Sequence, residues 1–404
     1  MEVHELLVFG TAILVVSAGL AGALLASKLS ERVSIPAAAP FLVAAAVASD
    51  LFPSLVLSTR TVGRIATVAL VVILFDGGQS IGWKRFRTSS GHIVSLGLAG
   101  TFATAGGIAL AGHWAFGFSW IASGLLGAAI APTDPAVMFS VLGDREVAGR
   151  TGTILLGESG ANDPVGIALM LGMIELATHA HATFWIVVRE FALQMTVGLA
   201  VGVAGGLALG ALIRRVSLPS PGLSTLRTLA GAGLVYGTAT VAHGSGFLAV
   251  FVAGLLVGDL VAPFKAETEI FNDALSSLAE IVVFVALGLT IAITTLGLRQ
   301  WFDGLLLAGI VALVIRPAVV GALLLPARLR PGEKAFIAWG GLKGAVPILL
   351  ASLALERGVP DAGRIYEIVF VVVLASVVVQ GSSVPFVARR LGVRIEPVAV
   401  KPRA

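Results

Sequence analysis

The chain has no cysteine, two tyrosines and six histidines in 404 residues, and only 12% of it is charged. Without cysteine there is no disulfide framework, no thiolate metal site and no cysteine nucleophile, and no redox compartment can be read. The shortage of charge excludes an ordinary solvated surface. Hydrophobic residues make up 57% of the chain and the mean hydropathy is +0.98, far above a soluble domain, so the sequence is that of a polytopic membrane protein. The histidines form no ligand set, because His179 and His181 share a loop while His92, His113 and His243 sit at expected span ends; a transition-metal site is not expected. The formal charge of +4 does not point to nucleic acid, since the cations lie in short loops between apolar runs, where they set membrane orientation. MEVHELLVFG has no basic region and no small-residue cleavage site before its apolar run, and it reads as the start of a first span, not a cleaved signal.

About twenty apolar residues cross a bilayer. Punctuation by charge, Pro and Gly gives thirteen spans, starting near Leu6, Ile35, Val62, His92, Ile121, Thr153, Phe184, Leu226, Gly244, Leu278, Trp301, Ala335 and Ile365. With the N-terminus outside, nineteen of the 27 Lys and Arg fall in inner loops and five in outer loops, while Arg189, Arg316 and Lys343 lie within apolar runs. That asymmetry predicts an N-terminus outside and a C-terminus in the cytoplasm. Six spans, a linker and six more place two inverted repeats at residues 6–178 and 226–388, a linker helix at 184–213 and a short cytosolic tail at 389–404. Such inverted repeats are the plan of many secondary transporters. Spans 5 and 12, seven apart, carry helix-breaking runs, Ala131-Pro132-Thr133-Asp134-Pro135 and Gly340-Gly341-Leu342-Lys343-Gly344-Ala345-Val346-Pro347. Non-helical backbone at membrane depth is tolerated only where it lines a protein-buried or watery cavity.

An ionisable residue at mid-membrane is costly and therefore a functional candidate. Five stand out: Asp134, Glu158, Asp163, Arg316 and Lys343. In GESGANDPVG, residues 157–166, Glu158 and Asn162 share one helical stripe, and Ser159 and Asp163 share the neighbouring one. A hard monovalent cation needs oxygen ligands to replace its hydration shell. Asp163, Ser159 and the hydroxyl and freed carbonyls around Thr133 form the expected cation site, with Glu158 and Asn162 as scaffold beside it. Buried acids need counter-charges, which assigns Glu158 to Arg316 and Asp134 to Lys343 provisionally; residue order leaves that pairing open. Asp134 and Lys343, one at each break, are expected to neutralise facing half-helix ends. Asp76 in LFDGGQS is expected to be a turn or boundary residue, and Asp259 and Glu280 residues near span ends, with lining of an ion funnel as the lesser alternative for each.

ILFDGG, AAIAPTDPAVMFSVL, GESGANDPVGIAL, VIRP and WGGLKGAVPILLA, in this order and spacing, resemble the monovalent cation:proton antiporters, in particular the NhaP branch that also contains the animal sodium/proton exchangers. The resemblance covers about residues 6 to 388. It implies an all-α membrane fold of thirteen helices with two broken, crossing helices, a homodimer in a bacterial-type cytoplasmic membrane, and alternating access. It places the ion-binding aspartate on Asp163, its preceding asparagine on Asn162, the core glutamate on Glu158, and the coordinating serine and threonine on Ser159 and Thr133. The Asn-Asp pair, where another branch has Asp-Asp, resembles the electroneutral exchangers. The expected activity is therefore 1:1 exchange of Na+ or K+ for H+, with cations, protons and lipid as partners and no cofactor. The wording of GESGANDP and GLKGAVPI is closest to potassium/proton members, which makes a potassium-selective exchanger the alternative; a channel or symporter is the rival mechanism. Lys343 departs from the usual arginine of GLRGA and cannot form a bidentate fork. The sequence ends shortly after span 13, where many potassium/proton relatives carry a regulatory domain, so gating by such a domain is not expected. An intramembrane aspartyl protease would need two aspartates sharing a proton, and LLVGDL lacks the expected glycine while no Tyr-Asp partner exists. Nor is there a His-Glu-x-x-His or a serine triad for hydrolysis.

Overall fold

The computed structural model describes residues 36–397 apart from 37, 53, 54, 143, 144 and 180–182, together with Gly10, Leu14, Ala21 and Gly22. The first expected span from Leu6, the loop residue His181, and the loop and tail cations Lys28, Arg32, Lys401 and Arg403 lie outside the described residues. The helices are α1 (Ala38–Leu51), α2 (Thr59–Val94), α3 (Thr101–Phe116), α4 (Trp120–Ile130), α5 (Pro135–Leu142), α6 (Gly149–Thr178), α7 (Phe184–Arg215), α8 (Pro221–Val241), α9 (Gly246–Gly258) and α10 (Lys265–Gly288). They continue as α11 (Leu298–Ile310), α12 (Arg316–Leu323), α13 (Pro331–Trp339), α14 (Ala345–Glu356), α15 (Ala362–Ala375) and α16 (Ser382–Arg390). The remaining twelve expected spans each have a helical counterpart in this order.

Serines start several of these helices. Ser58, Ser119 and Ser245 each accept the N–H three residues on, all at 3.2 Å, and so satisfy a donor that the first turn leaves free. Burial then sorts the helices into two kinds. α6 is buried on all sides from Gly157 to Met170 except at Ala161, and α14 is buried from Ala345 to Ser352. A helix apolar all round and covered all round is an interior one. α7 instead exposes Phe184, Trp185, Leu199 and Leu207, and α11 exposes Leu298, Phe302 and Leu305. In this chain exposed apolar rows of that length face lipid.

Three boundaries differ from expectation. The tenth span begins at Lys265, not Leu278, because the charged stretch before Leu278 is helical too and buries Thr268 and Asn272. The third and fourth spans run on as 58 helical residues from Thr59 to Phe116, roughly 87 Å at the α-helical rise and far more than a bilayer. The run is divided at Gly82, whose φ of 68° and ψ of 158° are non-helical. Glycine suits that conformation, and Asp259 holds the bend by accepting the Lys84 N–H at 2.6 Å through its carboxylate. Asp259 is thus a capping residue of the kink. The third difference is at the C-terminus: Ile395–Pro397 of the expected free tail form β2, which pairs antiparallel with β1 (Arg145–Val147), Glu146 opposite Glu396.

Both expected breaks are present and they meet. The chain is unwound between α4 and α5 and again between α13 and α14, and the Asp134 N–H donates to the Leu342 carbonyl at 2.8 Å. Three π-helical turns, Ser95–Gly100, Val311–Ile315 and Ser376–Gly381, surround this meeting point. π turns are rare insertions that re-aim side chains and often mark functional sites.

Candidate functional site

An unwound segment exposes main-chain groups that a membrane interior cannot solvate. α6 supplies their partners. The Ser159 hydroxyl donates to the Thr133 carbonyl at 2.7 Å, and the Asn162 amide donates to the Thr133 hydroxyl at 2.7 Å while its oxygen accepts the Thr133 N–H at 3.3 Å. Ser159 and Asn162 therefore hold the first break against α6. They come from the two stripes of GESGANDPVG, one from each. Asp163 follows on the same face and is buried, and its Oδ1 has no hydrogen-bond partner among the described residues. An orphaned carboxylate oxygen in a dry interior is expensive. The Thr133 carbonyl has a second lone pair to offer beyond the one used by Ser159, and Ser159 stands one helical turn before Asp163 on α6.

The counter-charges are equally buried. Arg316 Nη1 lies 2.6 Å from Glu158 Oε1, both side chains being almost wholly enclosed. The contact is an ion pair by distance without the alignment of a hydrogen bond, and Arg316 Nε and Nη2 have no acceptor among the described residues. The π turn Val311–Ile315 ends immediately before Arg316, and the guanidinium lies against the backbone of Gly341, where a Cβ would overlap it.

Lys343 has main-chain partners that charge complementarity does not foresee. Its ammonium donates to the carbonyls of Ala131 and Pro132, each at 3.0 Å. A lysine from the second break thus caps the C-terminal end of the half-helix before the first, where carbonyl dipoles favour a cation. The Lys343 N–H is taken by the Ser376 hydroxyl at 2.8 Å, and Gln380 donates to the Trp339 carbonyl at 2.5 Å. Ser376 and Gln380, both in the third π turn, therefore satisfy the second break as Ser159 and Asn162 satisfy the first. No sequence signal singles them out, because their role depends on α15 lying beside a break more than thirty residues earlier.

The carboxylate of Asp134 lies against Gly344, and a Cβ there would overlap it. Gly344→Ala must push the two breaks apart. Overpacking of this kind costs about 1–3 kcal/mol, so thermal unfolding of the detergent-solubilised variant is expected at lower temperature. A variant as stable as the parent would show that the breaks do not meet this closely.

Two carboxylates read as boundary residues lie deeper than expected. Asp76 sits within α2 and faces Ser276, Asp273 and Glu269 of α10, one turn from a hydrogen bond of 2.8 Å between Asn272 and Gln79. Glu280, farther along α10, is an electrostatic neighbour of Asp134, and its Oε1 is buried without a hydrogen-bond partner among the described residues. Gly77 and Gly78 make Asp76 look like a span end, and only the earlier start of α10 puts Glu280 within a helix and brings Asp273 and Glu269 opposite Asp76.

A family model described as sodium/hydrogen exchanger, transmembrane, matches residues 2–390. The chain is 33% identical over 376 residues to the K(+)/H(+) antiporter NhaP of Alkalimonas amylolytica, a match covering 92% of this chain and 65% of that protein. It is 32% identical over 391 residues to the K(+)/H(+) antiporter NhaP2 of Shewanella sp. (strain ANA-3), covering 94% and 67%. The chain thus spans about two thirds of the length of these relatives. Its fold is similar to that of the sodium proton antiporter MjNhaP1 from Methanocaldococcus jannaschii, with a TM-score of 0.78 at 22% identity, covering 95% of this chain and 99% of that one.

Proposed function

The chain belongs to the sodium/hydrogen exchanger family, and from that premise we propose that it is a secondary active antiporter in which Asp163 alternately holds a proton and a monovalent cation. The observation that carries this reading is the buried Oδ1 of Asp163, without a hydrogen-bond partner among the described residues, one helical turn from Ser159, whose hydroxyl donates to the Thr133 carbonyl. Ionised, Asp163 joins those oxygens around Na+ or K+; protonated, it needs no cation. Asn162 keeps Thr133 in register for both states. The charges of the centre support one-for-one exchange. Asp134, Glu158 and Asp163 oppose Arg316 and Lys343, leaving a single negative charge that one proton or one monovalent cation cancels. Glu280 must then keep its proton throughout, since a second free carboxylate would leave the loaded centre charged.

Two relatives named as K(+)/H(+) antiporters and a fold neighbour named as a sodium proton antiporter support Na+ and K+ as the substrates to compare, and no cofactor is required. The reading includes a homodimer in a cytoplasmic membrane with the N-terminus outside, and two inverted repeats at 6–178 and 226–388 joined by the linker at 184–213.

Reconstitution into liposomes tests it. An imposed Na+ or K+ gradient is expected to drive protons the opposite way, saturably and at the same rate with or without an imposed membrane potential. Glu280→Gln is expected to keep that indifference to potential. Unsaturable proton movement would indicate a channel and defeat the exchange reading, and saturable exchange that follows the potential in the parent protein would defeat the one-for-one stoichiometry.

A further inference from the structure

A cavity of about 600 Å³ opens between the second half of α2 and the first turns of α6. Arg85, Thr88 and Ser89 line it from α2, Arg150 and Thr153 from α6, and Glu146 from β1. Two arginines against one glutamate are the wrong lining for cation traffic and suit a small anion. Both arginines are exposed. Among the described residues Arg150 is held by contacts of 3.4 Å to the Thr88 carbonyl and to His92 Nδ1, and the Arg85 side chain has no ion pair.

The amino end of α6 enters the same cavity. This helix is 30 residues long, and its N-cap, Ala148, has no side chain to accept the first free N–H groups. Those groups and the helix dipole favour a bound oxyanion. A second feature is independent of the helix end. Ser89 is 1% exposed, lies on the cavity wall, and its hydroxyl has no hydrogen-bond partner among the described residues. Buried hydroxyls are normally paired. An acceptor in the cavity would occupy both guanidinium groups and meet the uncapped N–H groups, and turning the enclosed Ser89 side chain toward it would complete that hydroxyl as well. Three kinds of donor converging in this way match the tetrahedral oxygens of phosphate.

We propose that this cavity binds a phosphate group, carried by an anionic phospholipid headgroup or by a soluble phosphate compound, through Arg85, Arg150, Ser89 and the amino end of α6. Glu146 on the wall leaves a net charge of +1, which favours a single phosphate over a polyphosphate.

The test titrates the full-length chain, purified in detergent, and follows thermal unfolding at constant ionic strength. One arm adds phosphatidic acid or phosphatidylglycerol against phosphatidylcholine, and the other adds inorganic phosphate against chloride. Saturable stabilisation is expected in at least one arm: by the anionic lipids alone if the headgroup context is needed, and by inorganic phosphate as well if the phosphate suffices. Arg85→Gln and Arg150→Gln are each expected to weaken that binding about tenfold. Arg87→Gln, on the same stretch of α2 but outside the lining, is expected to leave it unchanged. Ser89→Ala separates ligand binding from a structural role, because it should weaken binding while leaving the unliganded protein at least as stable as the parent, an unpaired hydroxyl having been removed. No saturable effect in either arm, an effect untouched by both arginine substitutions, or an equal loss with Arg87→Gln would overturn the proposal.

Discussion

Asp163→Asn is expected to abolish cation-driven proton movement while leaving the protein folded. Asparagine keeps the size and one carbonyl oxygen of aspartate, so the packing of α6 against the first break survives through Ser159 and Asn162. What disappears is the exchangeable charge. An amide neither takes up a proton in the working range nor offers an anionic oxygen to Na+ or K+, so neither half of the cycle remains. The variant should elute and melt like the parent, or melt slightly higher, since a buried charged group has been made neutral. The same reasoning fixes a pH dependence in the parent protein. If one carboxylate serves both ions, protons compete with cations, and the half-saturating cation concentration should rise as pH falls, by up to about tenfold per pH unit where competition is simple. Exchange by Asp163→Asn, or a half-saturation independent of pH, would rule out the shared site.

The second large effect is on stability. Arg316→Met should destabilise the protein by about 3–5 kcal/mol, because it strands Glu158 as an unpaired buried acid. The two side chains are only 3% and 1% exposed, so water cannot compensate. Removing both charges is a different matter: Glu158→Gln with Arg316→Met should recover much of the loss, since paired removal of a buried ion pair is often neutral. Thermal unfolding of the parent, the single variant and the double variant reads this directly. A double variant no more stable than Arg316→Met would mean that Arg316 acts through Gly341 and the second break, not through Glu158.

Much of this centre was legible in the chain. GESGANDPVG announced a polar helix inside lipid, the two stripes put Ser159 and Asp163 together, and the breaks seven spans apart pointed to a shared cavity. The family resemblance rested on the same residues. Legibility came from cost: a charge or a proline inside an apolar run is so unfavourable that its presence alone is informative.

Other positions carried no such mark. Glu280 read as a boundary residue because local hydropathy cannot say where α10 begins, Asp76 because two glycines follow it, and Asp259 gave no hint that it would cap a kink at Gly82. The carbonyl partners of Lys343 were hidden for a related reason. Charge complementarity nominated Asp134 and could not show two carbonyls that exist as acceptors only because α4 ends at that point. Ser376 and Gln380 are ordinary residues in sequence and become part of the centre through a π turn.

The sequence by itself determined the membrane class, the family, the breaks and which buried polar residues to propose for ion binding, because each is a local departure from what lipid tolerates. Only the tertiary structure decided which groups satisfy the freed backbone, which acids share the centre and where an anion could sit beside α6. Those depend on hydrogen-bond directions and on the meeting of segments hundreds of residues apart, and an unwound carbonyl or a buried hydroxyl acquires its partner only when the helices have packed.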